Sequence, residues 1–367
     1  MKIALVYDRV NKFGGAERVL QSLHQVFPQA PLYTAVYNPK TAPWANIFSI
    51  KPSFLNKFPL AKTHHELYPL LTTIAFESFD LNAFDVVISV TSAEAKSIIT
   101  HPKTLHLCYC LTPTRYLWSH QQHYQKKPGL GLWSKLSKLV FSFTKPYLQK
   151  LDLVTSHRPD KFIAISKEVK NRIKKYYHRD SKVIYPPVNT TQFQYKKPED
   201  YYLLVSRLTS YKRVDLAIRT FNQLGEKLVI IGSGREMKNL KKLAKLNITF
   251  LGSVSDSKLK NYYSRCRALI MPQEEDFGLV SLEAQSSGKP VIAYGSGGAK
   301  DTIIEEKTGL LFKEPTVDSL MTAVKQFTSL NWNHKLIQAH AKEFDIKIFR
   351  NKFKNFVEAQ WQLTNQT

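Results

Sequence analysis

The stretch Pro272-Gln273-Glu274-Glu275-Asp276-Phe277-Gly278-Leu279-Val280-Ser281-Leu282-Glu283-Ala284 lies between two short apolar runs, Ala268–Met271 and Pro290–Ala293. An apolar run, a loop carrying one glycine, a helix-compatible stretch and a further apolar run make up the strand, loop, helix and strand of a parallel sheet. The helix is expected over Gly278–Ser287, closed by Gly288.

The alternation extends upstream. Runs at Tyr202–Ser206, Lys227–Ile231 and Ile248–Leu251 are separated by helix signals at Asp215–Leu224 and Met237–Leu246. An earlier series comprises Lys2–Tyr7, Asp85–Val90, Leu105–Cys110, Phe162–Ser166 and Val183–Tyr185, with gaps long enough to hold helices. Pro186-Pro187 divides the two series, because paired prolines continue neither a helix nor sheet pairing. A chain of 367 residues has room for two α/β domains of about 150 to 200 residues each. The expected domains are 1–186 and 187–344. Phe344, Phe349, Phe353, Phe356, Val357 and Trp361 then recur at helical spacing through a terminal helix, Asp345–Leu363, able to dock on either one.

Hydrophobic residues make up 43% of the chain, which fits a folded protein rather than a disordered one. The apolar run in Met1–Asp8 is too short for a signal peptide, and no run approaches the ~20 residues of a membrane-spanning helix. A soluble or peripheral protein is expected. Cys108, Cys110 and Cys266 have neither the number nor the spacing of a disulfide framework or zinc site, and suit a reducing cytoplasm as small buried residues. The formal net charge is +24, and His101–Lys150 contains eight Lys or Arg with no Asp or Glu. Such a stretch seeks an anionic partner. Nucleic acid is one candidate. The interleaved Leu132–Phe141 segment also suits an amphipathic element on anionic lipid, and a solvated basic face accounts for the same charges.

Ligands of open α/β sheets bind where strands end and helices begin, since free amides and the helix dipole there attract anions. Three loops have that position. Phe13-Gly14-Gly15-Ala16-Glu17-Arg18 would let backbone approach a phosphate, although glycine pairs also serve ordinary turns. Ser206-Arg207-Leu208-Thr209-Ser210-Tyr211-Lys212 offers two cations that can neutralise a diphosphate, or two solvated charges. In the third, Glu275 precedes the helix and Glu283 lies within it. These carboxylates can grip sugar hydroxyls at different parts of an elongated ligand. The competing reading is an acidic cluster at a helix start plus one ordinary exposed glutamate.

The segment Pro272–Gly298, with Glu275, Phe277-Gly278-Leu279-Val280, Glu283-Ala284, Gly288-Lys289-Pro290 and Gly297-Gly298, resembles the donor-site signature of the GT4 family of retaining glycosyltransferases. Ser206-Arg207-Leu208, Gly232-Ser233-Gly234, Phe250-Leu251-Gly252 and Thr308–Phe312 follow the family's order, so the resemblance covers nearly the whole chain. Glu77-Ser78-Phe79-Asp80, Cys108-Tyr109-Cys110 and Thr112–Trp118 are most similar to the bacterial WbaZ-like mannosyltransferases.

The resemblance implies the α/β GT-B fold, with two Rossmann-like domains whose parallel sheets face each other across a cleft. The first would bind acceptor, the second would bind donor, and a terminal helix, 345–367, would cross back to the first. It also implies that Arg207 and Lys212 hold the diphosphate, Glu283 the ribose, and Glu275 with the backbone of Phe277, Gly278 and Leu279 the transferred sugar. Gly14 and Gly15 would approach the phosphate, Gly252 and Val254 would frame the base, and Leu111, Thr112 and Arg115 would lie on the acceptor side. Neither a cofactor nor a metal is expected. Leu111 stands where many relatives carry a histidine, and Asp276 where a glycine is common.

The expected activity is metal-independent transfer of a hexose, mannose from GDP-mannose, onto a glycan or lipid-linked acceptor. It would serve cell-surface polysaccharide synthesis at the inner membrane face. A UDP- or ADP-sugar donor is the alternative within that chemistry. A nucleic-acid-binding protein, or a sugar-nucleotide sensor made conceivable by Leu111, is the alternative outside it.

Overall fold

A computed structural model describes residues 1–64, 68–119 and 134–366. The chain divides into two compact units, Met1–Tyr185 with Arg350–Thr367, and Pro186–Phe349. Each is an open parallel sheet flanked by helices.

The first unit contains β1 (Ile3–Tyr7), β2 (Leu32–Thr34), β3 (Ile50–Pro52), β4 (Val86–Thr91), β5 (Leu105–Cys110), β6 (Lys161–Ala164) and β7 (Ser181–Val183), in the spatial order β3-β2-β1-β4-β5-β6-β7. Every residue of β1, β4 and β5 is buried, as expected of strands covered on both faces. The last strand ends at Val183, two residues before the expected end, and Ile184 is the final residue to pair with β6. The three cysteines are free and buried.

The second unit contains β8 (Tyr202–Val205), β9 (Leu228–Ile231), β10 (Ile248–Gly252), β11 (Leu269–Met271), β12 (Val291–Tyr294) and β13 (Gly309–Phe312), ordered β10-β9-β8-β11-β12-β13. Successive side chains go to opposite faces of a strand. Tyr202, Leu204, Ile230, Ile270 and Ile292 therefore join the core beneath the helices Val214–Leu224 and Val317–Ser329. Leu203, Ile231, Leu269, Met271, Val291 and Ala293 join a second core with Tyr263 and Ala284.

Local signals set the helix ends. Thr316 and Asn333 cap the helices that follow them through side-chain oxygens. Gly225 closes Val214–Leu224 in a left-handed conformation. The helix expected over Met237–Leu246 stops at Leu243, and Leu246 is fully exposed, with no core contact to continue the turn.

The terminal helix is Ile346–Gln366. Its start stays with the second unit: Val188 N bonds Phe344 O, Ile346 N bonds Val188 O, and Thr190 Oγ1 donates to Asp345 at 2.6 Å. Burial alone would raise the Asp345 carboxyl, but bonds from Thr190 and the Lys347 amide hold it below the usual carboxylate range. This anchoring keeps 345–349 in the second unit. From Arg350 onward the helix belongs to the first, where Phe353 meets the edge of Tyr109 with ring centroids 5.6 Å apart.

Candidate functional site

The strand order of the second unit reverses between β8 and β11, and ligands of open parallel sheets bind at the carboxyl ends beside such a switch point. The loop after β8 carries Arg207, Tyr211 and Lys212. The loop after β11 carries Gln273 and Glu275. Lys212, largely buried, forms an ion pair with Glu275 Oε1, and the same oxygen accepts a 2.7 Å bond from Gln273 Nε2. Arg207 is exposed and donates from Nη2 to the Tyr211 hydroxyl at 2.8 Å. Lys212 Nζ lies 5.3 Å from the centroid of that same ring. The two cations are thus linked through one tyrosine, and one of them grips the carboxylate. Both bonds to Glu275 use Oε1, so Oε2 is the oxygen a ligand hydroxyl can reach.

Glycine seats this loop. Gly298 N donates to Glu275 O at 2.7 Å. A Cβ on Gly298 would lie 2.3 Å from Phe277 Cα, and one on Gly297 would lie 2.3 Å from Glu275 O. No side chain fits at either position while the carboxylate-bearing loop stays in place.

The helix after the loop is Leu279–Ser286, one residue shorter at each end than expected, because Gly278 serves as its cap at φ 93°. Amides of a first turn have no acceptor within their own helix and face outward to an anion. Phe277 is buried against Phe344, so only its backbone is on offer, and Asp276 is buried as well.

Glu283 is only 4% exposed, which removes the reading of it as an ordinary surface glutamate. Its Oε2 accepts a 2.8 Å bond from the hydroxyl of Tyr263, a fully buried side chain on the helix Asp256–Arg265. Changing Tyr263→Phe removes a donor to a buried carboxylate, with an expected stability loss of about 1–3 kcal/mol. Urea titration measures it, and an unchanged midpoint at unchanged slope would refute the structural weight given to this bond.

The expected base-framing residues sit at the end of β10. Gly252 O accepts from Gly232 N at 2.8 Å, and Ser253 Oγ meets Ser233 Oγ at 3.0 Å, so the ends of β9 and β10 are joined; Gly252 and Val254 are half-buried. Lys289, quoted with the donor signature, lies elsewhere. It is buried, donates to Lys196 O at 2.7 Å, and burial pushes its ammonium down to about 8. That geometry secures the chain entering the second unit.

The first unit has its own switch point, between β1 and β4. Gly14 precedes and Gly15 opens the helix Gly15–Val26, and Gly15 is exposed. Asp8, just after β1, accepts from Thr91 Oγ1 at 2.7 Å, Ser92 N at 2.8 Å and Ala95 N at 2.9 Å, tying the ends of β1 and β4 together. Leu111, Thr112 and Arg115 follow β5; Thr112 is buried, and Leu111 and Arg115 are half-buried. Their segment hangs on Asp152, which accepts from Thr114 Oγ1 (2.8 Å), Trp118 Nε1 (2.7 Å), Tyr177 OH (2.8 Å) and Lys96 Nζ (2.5 Å). Glu94 receives Tyr116 OH at 3.0 Å, and burial raises its carboxyl against the opposing pull of Arg9. The basic Leu132–Phe141 segment lies outside the residues whose side chains are described.

Sequence reasoning missed Tyr211, Gln273, Tyr263, Asp8 and Asp152. Gln273, two residues from Glu275, and Tyr211, next to Lys212, left a local sign. Ser89 and His106 lie 2.8 Å apart, the spacing of a nucleophile and its base, yet both are buried inside the sheet, and burial drives the imidazole down to about 3. The pair is structural.

Residues 188–343 match the family described as "Glycosyl transferases group 1". An uncharacterized glycosyltransferase of Methanocaldococcus jannaschii is 27% identical over 193 residues, which are 51% of this chain and 55% of that protein. The GDP-mannose-dependent alpha-(1-6)-phosphatidylinositol monomannoside mannosyltransferase of Mycobacterium tuberculosis is 33% identical over 140 residues, 33% of this chain and 36% of that one. The chain spans about half the length of the first curated relatives it matches. Among solved structures, Anabaena HepE in complex with UDP aligns with a TM-score of 0.71 at 17% identity, covering 98% of this chain and 100% of that chain. The fold is GT-B, with two Rossmann-like units built on parallel sheets.

Proposed function

We propose that this chain is a retaining glycosyltransferase that moves a hexose, mannose from GDP-mannose, onto a glycan or lipid-linked acceptor in cell-surface polysaccharide synthesis. The observation that carries the reading is the contact chain Arg207–Tyr211–Lys212–Glu275–Gln273 at the switch point of the second sheet. Arg207 and Lys212 hold the diphosphate. As its bond to the sugar breaks, negative charge grows on the diphosphate, and two preset cations beside a helix start stabilise that charge. Glu275 positions the sugar through Oε2 and faces the positive charge developing at the anomeric carbon. Glu283, held by Tyr263, takes the ribose hydroxyls, and the ends of β9 and β10 frame the base. Leu111, Thr112 and Arg115 belong to the acceptor side. The protein works at an anionic membrane surface, on the cytoplasmic side.

The mannose assignment draws support from mannosyltransferases among the sequence relatives, including one from Mycobacterium tuberculosis and one acting on O-antigen chains in Salmonella typhimurium. A UDP-sugar is the second reading, favoured by the UDP bound to HepE. Thermal shift with GDP, UDP and ADP, followed by turnover of labelled donor, separates them. GDP is expected to raise the melting temperature most, and labelled GDP-mannose to be consumed. Stabilisation by UDP alone would remove the mannose assignment, and binding without product would favour a sensor. Salt-sensitive binding to arbitrary DNA or RNA with no nucleotide response would remove the enzyme reading.

A further inference from the structure

Between Glu17 and Glu66 the chain carries no acidic residue, against the basic Arg18, Lys40, Lys51, Lys57 and Lys62. Within this stretch and the helix that follows it, the first unit leaves large apolar side chains in solvent. Phe54, Phe58, Leu60, Leu70 and Ile74 are 37% to 63% exposed. They belong to one local structure. The Phe54 and Phe58 rings lie 6.0 Å apart, Phe58 meets Tyr68 at 5.8 Å, and the Tyr68 hydroxyl donates to Pro59 O at 2.8 Å. Tyr68 leads into the helix Pro69–Glu77, where Leu70 and Ile74 stand one turn apart on the outer face while Ala75 and Phe76 are buried. Leu60 is the most exposed of the five and sits at φ 57°, a left-handed conformation that leucine rarely adopts. Its carbonyl accepts from the amides of Thr63 and His64, which hold that turn.

Lys51, Lys57 and Lys62, on the same stretch of chain, are exposed. Aromatic and aliphatic side chains projecting from a stretch with three lysines, where the nearest carboxylates in sequence are Glu66 and the Arg158-paired Glu77, match the boundary of an anionic bilayer. There the apolar groups enter the acyl layer and the ammonium groups stay with lipid phosphates. A nucleic acid would use the lysines and leave the apolar ridge wet. A protein partner would cover the apolar ridge without requiring lysines beside it. We infer that the Phe54–Leu60 turn and the outer face of helix Pro69–Glu77 form a docking surface for anionic lipid bilayers. The surface gives the membrane association proposed above a specific footing, and it does not depend on the donor chemistry.

The test is co-sedimentation with vesicles of phosphatidylcholine alone or mixed with phosphatidylglycerol. The protein should bind the mixed vesicles and leave the neutral ones. The double variant Phe58→Asp, Leu60→Asp should bind about tenfold less, and Lys57→Ala or Lys62→Ala about fivefold less each. Lys135→Glu with Lys138→Glu should bind as the parent does. Because Lys57, Phe58, Leu60 and Lys62 are exposed, melting temperatures and the shift produced by GDP should stay unchanged in the ridge variants, which separates failure of this inference from failure of the donor-site reading. Undiminished binding by Phe58→Asp, Leu60→Asp would overturn the proposal. So would loss confined to the Lys135 and Lys138 variant, absence of vesicle binding, or a ridge that instead supports RNA binding or dimerisation.

Discussion

Glu275→Gln should lower turnover by about 100- to 1,000-fold, the cost of removing one preset group that faces charge formed only in the transition state. Glutamine keeps the volume of the side chain and an oxygen for Lys212 and Gln273, but it replaces the charged oxygen that faces the sugar with a neutral NH2 group. Binding of GDP alone should change little, because the nucleotide lacks the sugar on which Glu275 acts. Glu275→Ala should go further and abolish transfer while the two cores, to which Glu275 does not belong, keep the protein folded. Turnover of labelled donor, read beside a thermal melt, checks both variants. Near-normal turnover in Glu275→Ala would refute the role assigned here.

Lys212→Ala is expected to act differently, on binding and stability together. Losing a charge-assisted bond to the diphosphate should weaken GDP binding by about 10- to 100-fold, from the ~1.5–3 kcal/mol of such bonds. The substitution also strands a carboxylate. The side chains of Lys212 and Glu275 are 11% and 15% exposed, so the pair is mostly withdrawn from water. Breaking such a pair from one side costs about 3 kcal/mol, mainly through the charge left behind. The double variant Lys212→Ala, Glu275→Ala should therefore be more stable than Lys212→Ala alone, with a coupling of ~0.5–3 kcal/mol. Calorimetry with GDP and denaturant titration of the three variants measure these quantities. Unchanged GDP affinity in Lys212→Ala would contradict the diphosphate role. Strict additivity of the stabilities would contradict the coupling.

What could be read from the chain follows from what each residue must satisfy locally. Strands such as β1 and β8 are almost wholly buried, and their continuous apolar runs declare them without tertiary information. The strands β2 and β3, three residues each and partly polar, are set by pairing with a neighbouring strand that no local pattern announces. Thr308–Phe312 was legible as a motif, but four residues from a glycine onward carry little strand signal of their own. The site divides in the same way. Arg207, Lys212, Glu275 and Glu283 follow strand ends, where ligand groups are expected. Tyr263 reaches Glu283 from a different helix, and Asp152 gathers Lys96, Thr114 with Trp118, and Tyr177 from three places in the sequence. Such partners are fixed by packing, so spacing alone cannot reveal them.

A crystal structure of the protein soaked with GDP-mannose tests the donor site most directly. The diphosphate should lie within hydrogen-bond reach, ~3 Å, of Arg207 and Lys212, with a hexose hydroxyl on Glu275 Oε2 and the ribose on Glu283. A nucleotide bound away from the ends of β8 and β11, touching none of these four side chains, would contradict the assignment.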